Sequence, residues 1–134
     1  MTAMNEKEFY YQQLENSQYP TLPIIFHYKG KAVAMDCLVD SGADFCYFGE
    51  ETAKFLGIKL EQGKILAVRG VTGKGNVYLH EIEVQLFDRK IKCRAAFSKE
   101  FNFPFSIIGR LDFFDAHEIT FREHEKTIKV KELD

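Results

Sequence analysis

The chain has 134 residues, of which 46% are hydrophobic and 28% are charged, and its formal net charge is -2 at pH 7. This composition is typical of a globular protein and excludes a disordered chain or a collagen-like repeat. No apolar run approaches the roughly 20 residues that a membrane-spanning helix needs. The near-neutral charge gives no general attraction to nucleic acid or anionic lipid, so we expect neither as a partner.

The first 18 residues, MTAMNEKEFYYQQLENSQ, are polar, with three aromatic residues and one leucine scattered among Glu and Gln. They predict an arm, either an amphipathic helix or a mobile tail, ahead of a domain spanning 19–134. The segment lacks the basic start and the apolar stretch of a secretory signal. The three cysteines have irregular spacing that matches neither a disulfide framework nor a zinc motif. We therefore expect a reducing, cytoplasmic location and no metal or other cofactor.

Beyond the arm, hydrophobic residues alternate with a period of two, which is typical of strands. The first hairpin is predicted at 22–28 and 33–39, with a turn at 29–31. A short helix is expected over 50–56, because two glutamates suit the positive end of its dipole and Gly57 suits its end.

Several more extended segments follow the predicted helix. The pattern predicts strands and a closing hairpin at 65–71, 78–86, 91–97 and 117–131, with a flexible glycine-rich tip at 72–75. Many short strands with one or two helical turns predict an all-β barrel or sandwich.

The segment CLVDSGAD at 37–44 is the candidate for a catalytic site, because a carboxylate follows directly on an apolar strand. The Ser41 hydroxyl can form hydrogen bonds that fix the turn, and Gly42 lets another backbone approach closely. Asp-Ser-Gly is also a common turn, and either polar residue can cap the helix that follows. The motif alone therefore leaves a purely structural role open.

LVDSGAD, a short helix, a glycine-tipped hairpin and the sequence IIGR at 107–110 occur in this order. This arrangement resembles the retropepsin-like, or retrovirus-type, aspartic proteases, and the resemblance covers about residues 22–131. It implies an all-β, single-lobe closed barrel with a flap hairpin and one or two short helices. It also implies a homodimer whose partner in the reaction is a peptide or protein substrate.

The resemblance assigns roles to individual residues. Asp40 matches the catalytic aspartate, Ser41 the hydroxyl that braces two catalytic loops, and Gly42 the residue whose carbonyl faces substrate. The implied substrate-binding residues are Ala43, Asp44, Val71, Thr72 and Gly73. The implied supporting residues behind the loop are Ile108, Gly109 and Arg110, and Arg110 is expected to form an ion pair with Asp44.

Aspartic protease chemistry needs two carboxylates, and the chain contains a single Asp-Ser-Gly and no Asp-Thr-Gly. One chain therefore cannot form the catalytic pair, and a homodimer must supply Asp40 twice. Two carboxyls about 3 Å apart share one proton, so one activates water while the other donates to the scissile carbonyl. The resemblance thus predicts an aspartic-type endopeptidase.

Two other functions stay open. A retropepsin-like module that no longer cleaves would bind peptides or serve as a dimerisation domain, because a fold does not guarantee an activity. A cysteine hydrolase would need a base beside Cys46. His80 is the conceivable base, but nothing in the sequence places it there.

Overall fold

The computed structural model describes residues 5–70 and 73–134. These residues form a mostly β structure with one α-helix, α1 (Glu50–Leu56), and short helical turns at Leu60–Gln62, Arg110–Phe114 and Glu123–Glu125. The strands in chain order are β1 (Glu6–Tyr10), β2 (Gln12–Leu14), β3 (Ser17–Tyr19), β4 (Thr21–Tyr28), β5 (Lys31–Val39), β6 (Cys46–Gly49), β7 (Lys64–Gly70), β8 (Gly73–Gln85), β9 (Lys90–Ser98), β10 (Ser106–Ile108), β11 (His117–Arg122) and β12 (Thr127–Glu132).

Seven strands form the main sheet, in the order β4-β5-β10-β6-β9-β8-β7. β4, the first strand in this order, also pairs with β8, so the hydrogen-bonded ladder connects back to β4. Most neighbours are antiparallel, but β10 runs parallel to β5 and β6 runs parallel to β9. The predicted all-β class with few helices is confirmed. The closed barrel and the homodimer stay predictions.

The first predicted hairpin is formed by β4 and β5. Tyr28 pairs with Lys31, so the loop between the strands contains two residues and is one residue shorter than predicted. Lys29 has φ 45° and Gly30 has φ 83°. Positive φ at both central residues is the geometry that matches the twist of a two-residue hairpin.

The core lies where the main sheet packs around three fully buried phenylalanines, Phe26, Phe48 and Phe97. Phe48 contacts both of the others, with its ring centroid 4.7 Å from that of Phe26 and 5.2 Å from that of Phe97. Leu56 of α1 is also buried. Phe48 and Leu56 are therefore packing residues.

Helix α1 begins and ends where the sequence predicts. Glu50 and Glu51 occupy its first turn, and Gly57 follows its last residue with φ 75° and a hydrogen bond from its N–H to the carbonyl of Lys54. Glycine adopts this left-handed conformation without steric cost, which is why it commonly ends helices. Within the described residues, no helix has the length and apolar character needed to span a membrane.

Between residues 6 and 19 the chain forms the strands β1, β2 and β3, so the interpretation of this part as a helical arm or mobile tail was wrong. β1 pairs with β12, with Phe9 opposite Ile128, in a three-stranded sheet that also contains β11. β2 and β3 form a small hairpin of their own. Contacts with distant residues explain why this segment forms strands. Phe9 is half-buried against the core, and the N–H of Tyr11 donates to the carbonyl of Lys126 at 2.8 Å. The division into 1–18 and 19–134 stays a prediction.

His117, at the start of β11, makes stability depend on pH. Its ring is 3% exposed and stacks on Phe113, with Nδ1 2.9 Å from the Phe113 carbonyl oxygen. Burial lowers the pKa of His117 below its usual 6.5, and the charge of Arg89 adds to this, whereas the Phe113 carbonyl and Glu132 oppose it. The unfolded chain therefore takes up a proton at a higher pH than the folded chain does.

We expect the free energy of unfolding to fall as the pH drops below 6.5, with a slope of up to about 1.4 kcal/mol per pH unit from this residue. Above that pH the contribution of His117 is fully present, because the ring is neutral in both states. Denaturant titrations between mildly acidic and neutral pH measure the slope. The variant His117→Asn should lose this part of it, and an unchanged slope in the variant would contradict the assignment.

Candidate active site

Asp40 lies directly after β5, where that strand enters the core. Val39 is buried, and its N–H donates to the carbonyl of Pro20 at 2.9 Å. The N–H of Asp40 donates to the carbonyl of Ile108, also at 2.9 Å. The backbone on both sides of the carboxylate is therefore held by other parts of the chain, and Asp40 itself is half-buried.

The loop after Asp40 folds back on the carboxylate. The N–H of Gly42 donates to Asp40 Oδ1 at 2.8 Å, and the N–H of Ala43 donates to the Asp40 carbonyl at 3.2 Å. These bonds fix the direction of the carboxylate within the chain. Ser41 is exposed, and within the described residues its hydroxyl makes no hydrogen bond.

The segment after β10 runs behind this loop and supports it. Ile108 pairs with Val39, and the N–H groups of Arg110 and Leu111 donate to the carbonyls of Ala43 and Asp44, both at 2.8 Å. The three supporting residues expected from the sequence thus lie beside the predicted catalytic loop.

Gly109 is the tightest point of this contact. A Cβ atom there would lie 2.8 Å from the carbonyl oxygen of Ala43 and 2.7 Å from the carbonyl carbon of Phe45. Both are backbone atoms, so no side-chain rotation relieves the contact. The glycine is therefore required by the close approach of two backbones.

Asp44 and Arg110 form the expected ion pair, with Asp44 Oδ1 3.0 Å from Arg110 Nη2. The side chains are 64% and 56% exposed, respectively. Exposed pairs of this kind contribute little to stability. The pair therefore leaves two charged groups accessible beside the loop.

An apolar row beside Asp40 was not recognised from the sequence as part of the site. Ile107 pairs with Leu38 on one side and with Tyr47 on the other, so the three side chains point to the same face of the sheet. All three are half-buried, whereas Val39 on the opposite face is buried. Leu38 alternates with the buried Cys37 and Val39 along β5, but its partners depend on strand pairing that local sequence does not specify.

Tyr47 lies within electrostatic reach of both acidic residues of the loop. The pKa of the Tyr47 phenol is raised. Burial is the main cause, and the charges of Asp44 and Asp40 add to it, whereas a hydrogen bond with the Phe45 backbone acts in the opposite direction. The ring also contacts Phe45 edge-on, at 6.3 Å between centroids. The apolar row therefore carries one hydroxyl beside the carboxylates.

Two solved structures are similar to this chain over most of its length. A retropepsin-like aspartic protease from Rickettsia conorii gives a TM-score of 0.65 at 14% identity, covering 92% of this chain and 98% of that protein. EIAV protease in complex with the inhibitor HBY-793 gives a TM-score of 0.57 at 20% identity, covering 77% of this chain and 92% of the viral protein. This chain has the retropepsin-like fold. Comparison of the sequence with protein-family models and with curated proteins gives no match.

This chain has a long hairpin, β7–β8, at the position predicted for the flap. Gly70 pairs with Gly73, so β8 begins inside the tip predicted at 72–75. Gly73 and the two residues after it therefore continue the ladder, and the flexibility of the tip stays a prediction. The expected binding residues Val71 and Thr72 lie outside the described residues.

Cys46 and His80 of this chain each have another hydrogen-bond partner and do not bond to each other as a catalytic pair. Cys46 is fully buried, with its sulfur 3.4 Å from that of Cys93. The hydrogen bond from Cys93 lowers the pKa of the Cys46 thiol against the opposing effect of burial, and it raises the pKa of the Cys93 thiol. His80 Nε2 lies 2.9 Å from the carbonyl oxygen of Leu60. The burial of Cys46 and the separate hydrogen-bond partners of the two residues give no support to the cysteine-hydrolase alternative. Among the described residues, no group of three His, Cys, Asp or Glu side chains is arranged to hold a metal ion.

Proposed function

We propose that the chain is an aspartic-type endopeptidase that acts as a homodimer and hydrolyses peptide bonds between two Asp40 carboxylates. One observation carries the proposal: in a retropepsin-like fold, Asp40 directly follows the buried Val39 at the end of β5, and its Oδ1 accepts a hydrogen bond from Gly42. The same hydrogen bond also closes ordinary structural turns. What supports a catalytic role is the position of this turn, directly after β5 and held from behind by the segment that follows β10.

The homodimer follows from the chemistry. The reaction needs two carboxylates, whereas the chain contains a single Asp-Ser-Gly. The exposure of Ser41 supports a role for its hydroxyl in bracing the loop of the partner subunit. The exposed Asp44–Arg110 pair supports a location of these charges near the second subunit.

In the proposed mechanism, the two Asp40 carboxyls share one proton because they cannot both ionise at about 3 Å. The ionised carboxylate takes a proton from a water molecule, whose oxygen attacks the scissile carbonyl carbon. The protonated carboxyl donates its proton to the carbonyl oxygen. The tetrahedral intermediate then breaks at the C–N bond: the amine leaves with a proton from the protonated carboxyl, and the ionised carboxylate takes a hydroxyl proton from the intermediate, which restores the shared proton. No covalent link between enzyme and peptide forms.

The proposed substrate is an extended peptide that lies between the apolar row and the hairpin β7–β8. Backbone hydrogen bonds give such a strand affinity, and pockets for its alternate side chains give it specificity. Leu38, Tyr47 and Ile107 support a preference for an apolar side chain next to the scissile bond. We include Ala43, Asp44 and the hairpin tip with Gly73 among the residues proposed to bind the peptide.

We also propose a reducing, cytosolic location. All three cysteines are free thiols and buried, which suits such an environment. Cell fractionation tests this part of the proposal separately from the activity.

Sedimentation across a concentration series, with peptide cleavage measured on the same samples, tests the proposal. We expect cleavage to rise with the dimer fraction, because the monomer holds one carboxylate of the pair. A chain that stays monomeric at every concentration yet cleaves would contradict the shared site. A dimer that binds HBY-793 or a peptide but leaves the peptide intact would instead support a binding module.

A further inference from the structure

Asp112, three residues after Gly109, has an unusual backbone conformation. Its φ is 72° and its ψ is -51°, and the preceding Leu111 has an extended ψ of 132°. A positive φ is uncommon for a residue other than glycine, and such residues concentrate where the surrounding structure holds them for a purpose. The helical turn Arg110–Phe114 is therefore kinked at this point rather than continuous.

Arg94 on β9 holds Asp112 in this conformation through three hydrogen bonds. The backbone N–H of Arg94 and its Nε donate to Asp112 Oδ2 at 2.8 and 3.1 Å, and its Nη2 donates to Oδ1 at 3.1 Å. The N–H of Asp112 in turn donates to Asp115 Oδ2 at 3.0 Å. Arg94 is exposed, but its guanidinium is bound to Asp112.

The same contact explains why Asp112 stays ionised. Burial raises its pKa, but the hydrogen bonds and the positive charge of Arg94 lower it by more, so the net shift is downward. A bidentate pair of opposite charges has a defined geometry as well as an attraction. The contact is therefore suited to fixing the position of a backbone segment.

The segment that is fixed is the one that supports the predicted catalytic loop. Leu111, next to Asp112, donates to the carbonyl of Asp44, and Arg110 donates to the carbonyl of Ala43. Arg94 lies on β9, whose residue Ala95 pairs with Cys46 just beyond the loop. Arg94 and Asp112 thus connect the strand on one side of the loop to the segment behind it.

We propose that Arg94 and Asp112 are positioning residues, which hold the segment 109–111 so that its N–H groups orient the loop of Asp40. The consequence for catalysis rests on the proposed function, whereas the connection to the loop does not. Neither residue touches the reacting atoms in this assignment. Their effect is transmitted through two backbone hydrogen bonds.

Two substitutions separate the carboxylate from the backbone conformation. Asp112→Gly keeps a positive φ accessible and removes the carboxylate, and Asp112→Asn keeps an acceptor oxygen in a residue that tolerates positive φ. Lys126→Gly is the matched control, because Lys126 also has a positive φ of 56° and an ion pair, with Glu123, but lies in the turn before β12.

Amide hydrogen exchange of Arg110 and Leu111 measures the connection whether or not the chain cleaves peptides. In Asp112→Gly we expect exchange at these amides to accelerate about tenfold or more, while Val130 in the terminal sheet keeps its protection. In Asp112→Asn the amide keeps one acceptor oxygen but loses the charge and sets an NH2 donor against the guanidinium, so exchange should accelerate in part. Lys126→Gly should resemble the wild type. Unchanged exchange at both amides in Asp112→Gly, or an equal loss at Val130, would overturn the proposal.

Peptide cleavage by the full chain measures the consequence. We expect kcat of Asp112→Gly to fall about 10- to 100-fold, because a small displacement of a catalytic group is costly, with KM changed less than about twofold. An unchanged kcat alongside faster exchange would overturn the positioning role. If the wild type cleaves no peptide, the proposed function fails and the exchange result alone decides the connection.

Arg94→Lys replaces Asp112→Gly if that variant does not fold. This substitution keeps the backbone donor but loses the bidentate pair, so it should show the same changes in part. Wild-type values of exchange and kcat in Arg94→Lys would overturn the proposal.

Discussion

Asp40→Asn is expected to abolish peptide cleavage while leaving the fold and the dimer intact. Asparagine has nearly the same shape as aspartate, and its amide oxygen can still accept the hydrogen bond that Gly42 donates at 2.8 Å. It can neither take a proton from water nor share one with a second carboxyl. We therefore expect kcat/KM to fall by at least about a thousandfold, with the free energy of unfolding within about 1 kcal/mol of the wild type.

Asp36→Asn is the matched control for this experiment, because Asp36 is an exposed carboxylate four residues earlier on β5. Its removal makes the same change in charge on the same strand, away from the loop. Cleavage by this variant should stay within about twofold of the wild type, as for most exposed substitutions. Substantial cleavage by Asp40→Asn would contradict the catalytic assignment, whatever the control does.

Mixed dimers test whether both Asp40 residues belong to one site. When wild-type and Asp40→Asn chains exchange freely, a roughly ninefold excess of the variant pairs nearly all wild-type chains with an inactive partner and lowers activity per wild-type chain about tenfold. Activity that depends only on the amount of wild-type chain would mean that each subunit works alone. The mixture therefore separates a shared site from two independent ones.

The parts of the fold that follow from local patterns could be predicted from the sequence. The alternation along β4 and β5 placed Asp40 at the end of an apolar strand, and the glutamates and Gly57 located helix α1. In each case the signal lies within a few residues of the element that it predicts. Because the loop 40–44 is continuous with β5, the position of the carboxylate was accessible in the same way.

The parts that depend on distant partners could not be predicted. β1 is a polar segment whose strand conformation comes from pairing with β12, more than a hundred residues later in the chain. The insertion of β10 between β5 and β6 likewise creates the row of Leu38, Tyr47 and Ile107 from three separate segments. Nothing near Asp112 in sequence indicates its positive φ, because the arginine that holds it is 18 residues away.

Gly109→Ala is expected to be the most destabilising single-methyl change near the site. The added Cβ would meet the carbonyl oxygen of Ala43 at 2.8 Å and the carbonyl carbon of Phe45 at 2.7 Å, well inside normal contact distance. The Ala43 carbonyl cannot move away freely, because it accepts the hydrogen bond of Arg110. Relief therefore requires separating the segment 109–111 from the loop. We expect a loss of about 3 kcal/mol or more in the free energy of unfolding.

Gly49→Ala provides the comparison, because its Cβ would make an ordinary contact of 3.6 Å with the Phe101 side chain. Gly49 also has φ -86°, which alanine adopts without strain. Denaturant unfolding of both variants at one protein concentration measures the difference, since the stability of a dimer depends on concentration. Equal stability of the two would show that the backbones can separate at little cost. A large loss confined to Gly109→Ala would instead mean that the loop of Asp40 and the segment behind it form one rigid unit, as a site that must hold two carboxylates in register requires.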